Sequence, residues 1–280
     1  MGNATVILKD LSIGYTAKGN KKVVASGLNA AINSGELTCL LGPNGIGKST
    51  LLRTLSAFQP PLAGDVLLNI PNLHSNHISP LSSLTSHLVS RTIGVVLTEK
   101  LAIKNMTAEE LIAMGRAPYT GFWGRLTEED HQVVRESIRL VGIESLAGRM
   151  IQTLSDGERQ KVMIAKALAQ QTPIIYLDEP TAFLDYPSKV EMMQLLRRLA
   201  VQEQKTIFLS THDVELSLQV ADCIWLMESE NHSTFNIQHS PLSVGTPHQL
   251  ADQGVLSRFI EREGITFDRN SLTIRVIAAS

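Results

Sequence analysis

Five short apolar runs recur along the chain at Glu36–Leu41, Thr92–Leu97, Ile174–Leu177, Thr206–Ser210 and Cys223–Glu228. Runs this continuous belong to strands covered on both faces, the pattern of a mostly parallel sheet. Thr5–Tyr15 and Lys22–Ile32 are strand-like, parted by a Lys/Gly/Asn turn and closed by Asn33-Ser34-Gly35, and Val66–Asn69 follows the Ala63-Gly64-Asp65 turn. Helical stretches are expected over Thr50–Leu55, Ala108–Arg116, Thr127 to about Val141, Ser155–Ala169 and up to Ala200. Two of them open on capping boxes, Thr107 with Glu110 and Thr127 with Asp130. The pattern predicts an α/β core with a helical insertion near 98–150. Residues 229 to 280 predict an α+β tail: a hairpin, a helix near Pro247–Glu263 and a last strand Leu272–Ile277. Residues 71 to 90 hold six serines and three of the eight histidines without periodicity. His74, His77 and His87 suit a solvated surface loop better than a metal site.

Composition narrows the class. Hydrophobic residues make up 43% and charged residues 19% of 280, as in a soluble globular protein with one sizeable core and an inserted or appended subdomain. A net charge of −2 without a Lys/Arg block gives no nucleic-acid footprint. Cys39 and Cys223 lie in apolar runs, as reduced core cysteines do. The Met-Gly-Asn-Ala-Thr-Val start lacks a signal-peptide plan. No apolar run reaches the roughly 20 residues of a membrane helix, so a membrane role would come through a partner.

The chemistry concentrates in a few segments. Gly42, Pro43, Asn44, Gly45, Ile46, Gly47, Lys48, Ser49 and Thr50 match the phosphate-binding pattern G-x-x-x-x-G-K-[ST]. The glycines let backbone N–H groups converge on a polyphosphate. Lys48 would reach the β- and γ-phosphates, and the Ser49 hydroxyl would ligate Mg²⁺. Pro173–Leu177 is a buried strand ending in the adjacent acids Asp178 and Glu179. Beyond a strand's carboxyl end, Asp178 would serve the Mg²⁺ shell and Glu179 would polarise the attacking water. Lys205–Thr211 is followed by His212, placed to bond a γ-phosphate. Ser155 with Glu158 is a third capping box, behind Leu154 and around Asp156 and Gly157.

Taken together, these residues resemble the ATPase subunit of an ATP-binding cassette (ABC) transporter over nearly all of 4–250. The resemblance implies an α/β fold: a P-loop NTPase core of mostly parallel sheet, with an antiparallel β subdomain and an inserted helical subdomain. An ATPase domain would span 1–250, and an α/β tail over 251–280 would pack on it. Tyr15 would stack on adenine, Gly42–Thr50 would cradle the phosphates, and Leu154–Glu158 would be the signature. Asp178 and Glu179 would be the metal-binding and catalytic acids, Leu184-Asp185 the dimer-contacting loop and His212 the switch histidine. ATP and Mg²⁺ are the implied cofactors. The implied assembly is a head-to-tail homodimer with two composite sites, peripheral on the cytoplasmic face of the membrane beneath permease subunits. A periplasmic or lipoprotein substrate-binding protein would act indirectly.

Three features depart from that pattern or refine it. The signature carries Asp156 and Glu158 where the family usually has Gly and Gln. The strand at Ile93–Leu97 runs into Thr98 and Glu99 where the family has a glutamine that reaches metal and water. Thr98 would make that contact through a shorter side chain, with Glu99 as the rival. The stretch Met114–Asp130 is similar to a loop of iron-siderophore, haem and cobalamin importers. Its aromatics Tyr119, Phe122 and Trp123 would either meet a permease or pack on their own helices. The other class in view is a soluble cassette ATPase not coupled to transport.

Overall fold

The computed structural model describes residues 4–17, 20–70, 78–98, 104–228 and 242–277. Two long strands, β1 (Ala4–Ala17) and β2 (Asn20–Asn33), pair antiparallel. Next come β3 (Leu37–Leu41), α1 (Lys48–Leu55), β4 (Ala63–Leu68) and β5 (Ser79–Pro80). The chain then forms α2 (Ser86–Thr92), β6 (Ile93–Val96), α3 (Ala108–Ala113), α4 (Glu128–Val141) and α5 (Asp156–Ala169). The second half alternates β7 (Ile174–Asp178), α6 (Tyr186–Gln202), β8 (Thr206–Ser210), α7 (Val214–Val220) and β9 (Cys223–Met227). It ends in β10 (Leu242–Gly245), α8 (Pro247–Asp252), α9 (Val255–Ile260), β11 (Ile265–Asp268) and β12 (Thr273–Val276).

The central sheet has the order β10-β9-β3-β8-β7-β6, parallel except for β10. A second, antiparallel sheet has the order β2-β1-β4-β5. Side-chain alternation divides the parallel strands β9, β3, β8, β7 and β6 between two cores. Leu40, Ile174, Tyr176, Phe208 and Trp225 face the antiparallel sheet and α1. Cys39, Ile175, Leu177, Ile207 and Leu209 face the helices on the other side. Both faces are therefore covered, which is why these strands are apolar throughout. The tail joins the helical side, with Leu250, Val255, Leu256, Ile260 and Phe267 in the same core.

Several expectations shift at their ends. Thr92 closes α2 rather than opening the strand, and α2 itself, capped by Thr85, occupies part of the expected loop 71–90. His87 is exposed there, whereas His74 and His77 lie outside the described residues. The helix expected over 108–116 is α-helical only to Ala113 and tightens into a 3₁₀ turn over Met114–Arg116. The expected helix 247–263 is two helices, because Gly254 sits at φ 71° between them. Residues 229–241, where a hairpin is expected, lie outside the described residues, but β10 does return antiparallel to β9.

Candidate functional site

Strand order builds the site. The loop after β3, the ends of β8 and β7 and the residues after β6 are neighbours at one sheet edge because β3, β8, β7 and β6 are consecutive in the sheet. Ligands of open α/β sheets sit at such carboxyl ends.

The loop 42–47 needs its glycines. A Cβ on Gly42 would lie 2.8 Å from the Met227 carbonyl, and one on Gly47 would lie 2.3 Å from Val24 Cγ1 at φ +116°. Pro43, Asn44 and Gly45 are exposed, with Ile46 partly covered. Gly47 caps α1, whose first turn carries no acid, so its free N–H groups and positive dipole end face an anion unopposed. Lys48 is buried and donates to the Gly42 carbonyl at 2.8 Å and the Pro43 carbonyl at 3.2 Å. Burial pulls its ammonium below the usual lysine range, partly offset by the carboxylates of Glu179 and Asp178. Tyr15, 44% exposed on β1, bonds the Thr50 hydroxyl at 2.5 Å, which stands its ring beside this loop.

Opposite lie the acids. Asp178 Oδ1 accepts from Ser210 Oγ at 2.6 Å, and Ser49 Oγ stands 3.5 Å away. A hydroxyl and a carboxylate converging on one spot are hard oxygen donors of the kind Mg²⁺ takes, leaving its other positions for water and phosphate. The described residues contain no cluster of three His, Cys, Asp or Glu side chains that could hold a metal alone. Glu179 adopts φ 49°, a left-handed conformation that a non-glycine residue keeps only when its surroundings impose it. His212 Nε2 donates to Glu179 Oε1 at 2.6 Å. Thr98 donates to the Asp178 carbonyl at 2.7 Å, and Glu99 lies outside the described residues.

The signature segment opens α5. Ser155 caps α5 in a full capping box with Glu158, which also pairs with Arg149 at 3.1 Å. Asp156 is exposed and stands 3.8 Å from Arg159. Gly157 lies beside Leu184: a Cβ on it would be 3.6 Å from that side chain. Asp185 is the exposed N-cap of α6, bonded to the Ser188 N–H at 2.9 Å. The Ser188 bonds hold its carboxyl below the usual range. The Gly157–Leu184 approach thus brings the signature segment beside the turn that carries Asp185.

The aromatic stretch divides. Tyr119 packs between Arg116 and Arg91, 4.0 and 4.6 Å from its ring centre, and donates to the Gln170 carbonyl at 3.0 Å. Phe122 and Trp123 are 95% and 82% exposed and touch each other edge-on. Sequence reasoning missed Ser210. Its one local signal is a hydroxyl ending the otherwise apolar run of β8, two residues before His212.

Comparison with known proteins agrees with this geometry. The family profile described as ABC transporter matches residues 25–182. An uncharacterised ABC transporter ATP-binding protein of Methanocaldococcus jannaschii is 39% identical over 259 residues, covering 92% of this chain and 82% of its own. The iron(3+)-hydroxamate import ATP-binding protein of Bacillus subtilis is 36% identical over 206 residues, 74% of this chain and 72% of its own. Among solved structures, a dimeric bacterial ABC transporter cassette superposes with a TM-score of 0.64 at 28% identity, covering 79% of this chain and 93% of its own. A phosphate loop facing two strand-end acids, on a sheet shared with those cassettes, places this chain in the ABC transporter family as an ATP-binding and ATP-hydrolysing subunit.

Proposed function

We propose that this chain energises an importer of metal chelates of the iron-siderophore, haem or cobalamin class, working as a head-to-tail homodimer beneath a membrane permease. The observation that carries the dimer is the match to a dimeric bacterial ABC transporter cassette. The described contacts of Ser155 and Gly157 run to Glu158 and Leu184 and none to the phosphate loop, and a second copy turned through a twofold axis would bring them onto the γ-phosphate. The importer class is supported by the iron-hydroxamate relative and by the exposed Phe122–Trp123 pair, a rigid anchor of the kind that fills a partner's pocket. None of the described helices is long and apolar enough to cross a membrane, so docking on a permease from the cytoplasmic face is the proposed route to it. A periplasmic or lipoprotein binding protein would then meet the permease, not this chain. We assign the ATPase unit to 1–250, with the helical insertion about 98–150, and the packed tail to 251–280.

In this reading Tyr15 offers its exposed ring to adenine, and residues Gly42 to Thr50 wrap the phosphates. Lys48 exchanges its loop carbonyls for β- and γ-phosphate oxygens. Ser49 and Asp178 would hold Mg²⁺, beside the Thr98 hydroxyl that is bonded to the Asp178 carbonyl. The ion neutralises developing phosphate charge when bound. Glu179 takes the proton of the attacking water. His212, now held by Glu179, turns its Nε2–H to the γ-phosphate. Ser155, Asp156, Gly157, Glu158 and Asp185 of the partner copy close the site. Glu179→Gln should lower turnover by about 10²–10⁴-fold while ATP still binds. In ultracentrifugation that variant should be a dimer with Mg-ATP and a monomer without it. A monomer at saturating nucleotide would contradict the composite site.

A further inference from the structure

The peptide joining the two acids is bonded at both of its polar ends. Its carbonyl, on Asp178, accepts the Thr98 hydroxyl at 2.7 Å. Its N–H, on Glu179, is shared by Ser210 Oγ and the Ser210 carbonyl, each at 3.1 Å. The same Ser210 hydroxyl donates to the Asp178 carboxylate at 2.6 Å. The source is sheet geometry. Val96 pairs with Leu177 and the β6 ladder ends there, so no strand N–H remains on that side for the Asp178 carbonyl. Thr98, two residues on, supplies a side-chain donor instead. On the other side Asp178 pairs with Ser210, the last residue of β8. Beyond this peptide Glu179 adopts φ 49°, which a non-glycine residue keeps only under constraint.

We propose that Thr98 and Ser210 are positioning residues that grip the 178–179 peptide from both sides and so fix the direction in which Glu179 presents its carboxylate to the attacking water. Thr98 stands where a glutamine is usual, and its short hydroxyl reaches the backbone of the acid pair rather than extending past it. The inference rests on the reading of Glu179 as the base, and the variants below separate the two. Losing one such bond should cost about tenfold in kcat. Thr98→Val should show that loss, with KM for ATP and the half-saturating Mg²⁺ concentration each within about twofold of wild type. Thr98→Ser, which keeps the hydroxyl, should restore kcat. Ser210→Ala should reproduce the kcat loss, and it carries the test if Thr98→Val does not fold, as judged by thermal melting. Unchanged kcat in either variant, or a Thr98→Ser enzyme as slow as Thr98→Val, would overturn the grip. A raised Mg²⁺ requirement would return Thr98 to the metal shell and overturn it too. If Glu179→Gln itself turns over like wild type, the reading of the site falls; if it is dead while Thr98→Val is normal, only the grip falls.

Discussion

Asp130→Asn should destabilise the helical side of the molecule by about 2–5 kcal/mol, and the structure supplies the reasoning. The Asp130 carboxylate is nearly covered and accepts from the Thr127 N–H at 2.8 Å and from Arg116 Nε at 2.8 Å, one on each oxygen. The Thr127 bond, then Arg116, bring its pKa from the ordinary 3.8 down to about 2. A drop of that size corresponds to about 2 kcal/mol in favour of the charged form. Arg116 is as deeply buried, and its other bonds go to the neutral acceptors Ala169 O and Gln171 Oε1, each at 2.8 Å. An asparagine offers one oxygen where two are used, so an NH₂ would face either Thr127 N–H or Arg116 Nε–H. The guanidinium would also lose its only charged partner among the described contacts, and breaking a buried pair typically costs about 3–5 kcal/mol. Urea unfolding followed by far-ultraviolet circular dichroism at pH 7 measures the loss. Its pH dependence is a second check. A depressed carboxylate stabilises above its unfolded pKa, and this contribution disappears as pH falls through the folded value. The wild-type advantage should thus be constant above about pH 5 and shrink toward pH 2. A loss under about 1 kcal/mol at pH 7, or a gap that does not narrow in acid, would refute the account.

Lys48→Ala should weaken ATP binding by roughly 10–100-fold, since a charge-assisted phosphate contact disappears; titration calorimetry giving wild-type affinity would remove that role. Gly47→Ala should abolish nucleotide binding, because the added methyl meets Val24 at 2.3 Å in a backbone conformation reserved for glycine. A variant that binds ATP normally would show that the loop can shift. Trp123→Ala should leave ATP-driven dimerisation intact but reduce assembly with the permease, as pull-down would report. Normal assembly and transport would mean that the pair anchors nothing.

Much of this protein is local and therefore legible along the chain. The phosphate loop, the acid pair at the end of β7 and the three capping boxes depend on contacts within about four residues, and all lie where the spacing predicts. Buried strands betray themselves because both of their faces must be apolar. Other features depend on partners remote in sequence. Gly254 splits a helix whose hydrophobic period runs on, because its φ of 71° ends α8 and begins α9 at a new angle. Tyr119 packs while Phe122 and Trp123 stand in solvent, a distinction made by Arg91, Arg116 and Gln170 rather than by the loop. Ser210 looks like the end of one more apolar strand until β8 is placed beside β7 and its hydroxyl meets both acids. Thr98 was legible as a departure, but its acceptor, a carbonyl 80 residues away, exists only once β6 and β7 are paired. Residue types and short-range geometry determined which chemistry the chain can carry; strand order decided which of those groups share one site, because hydrogen bonding between strands joins residues that no sequence period connects.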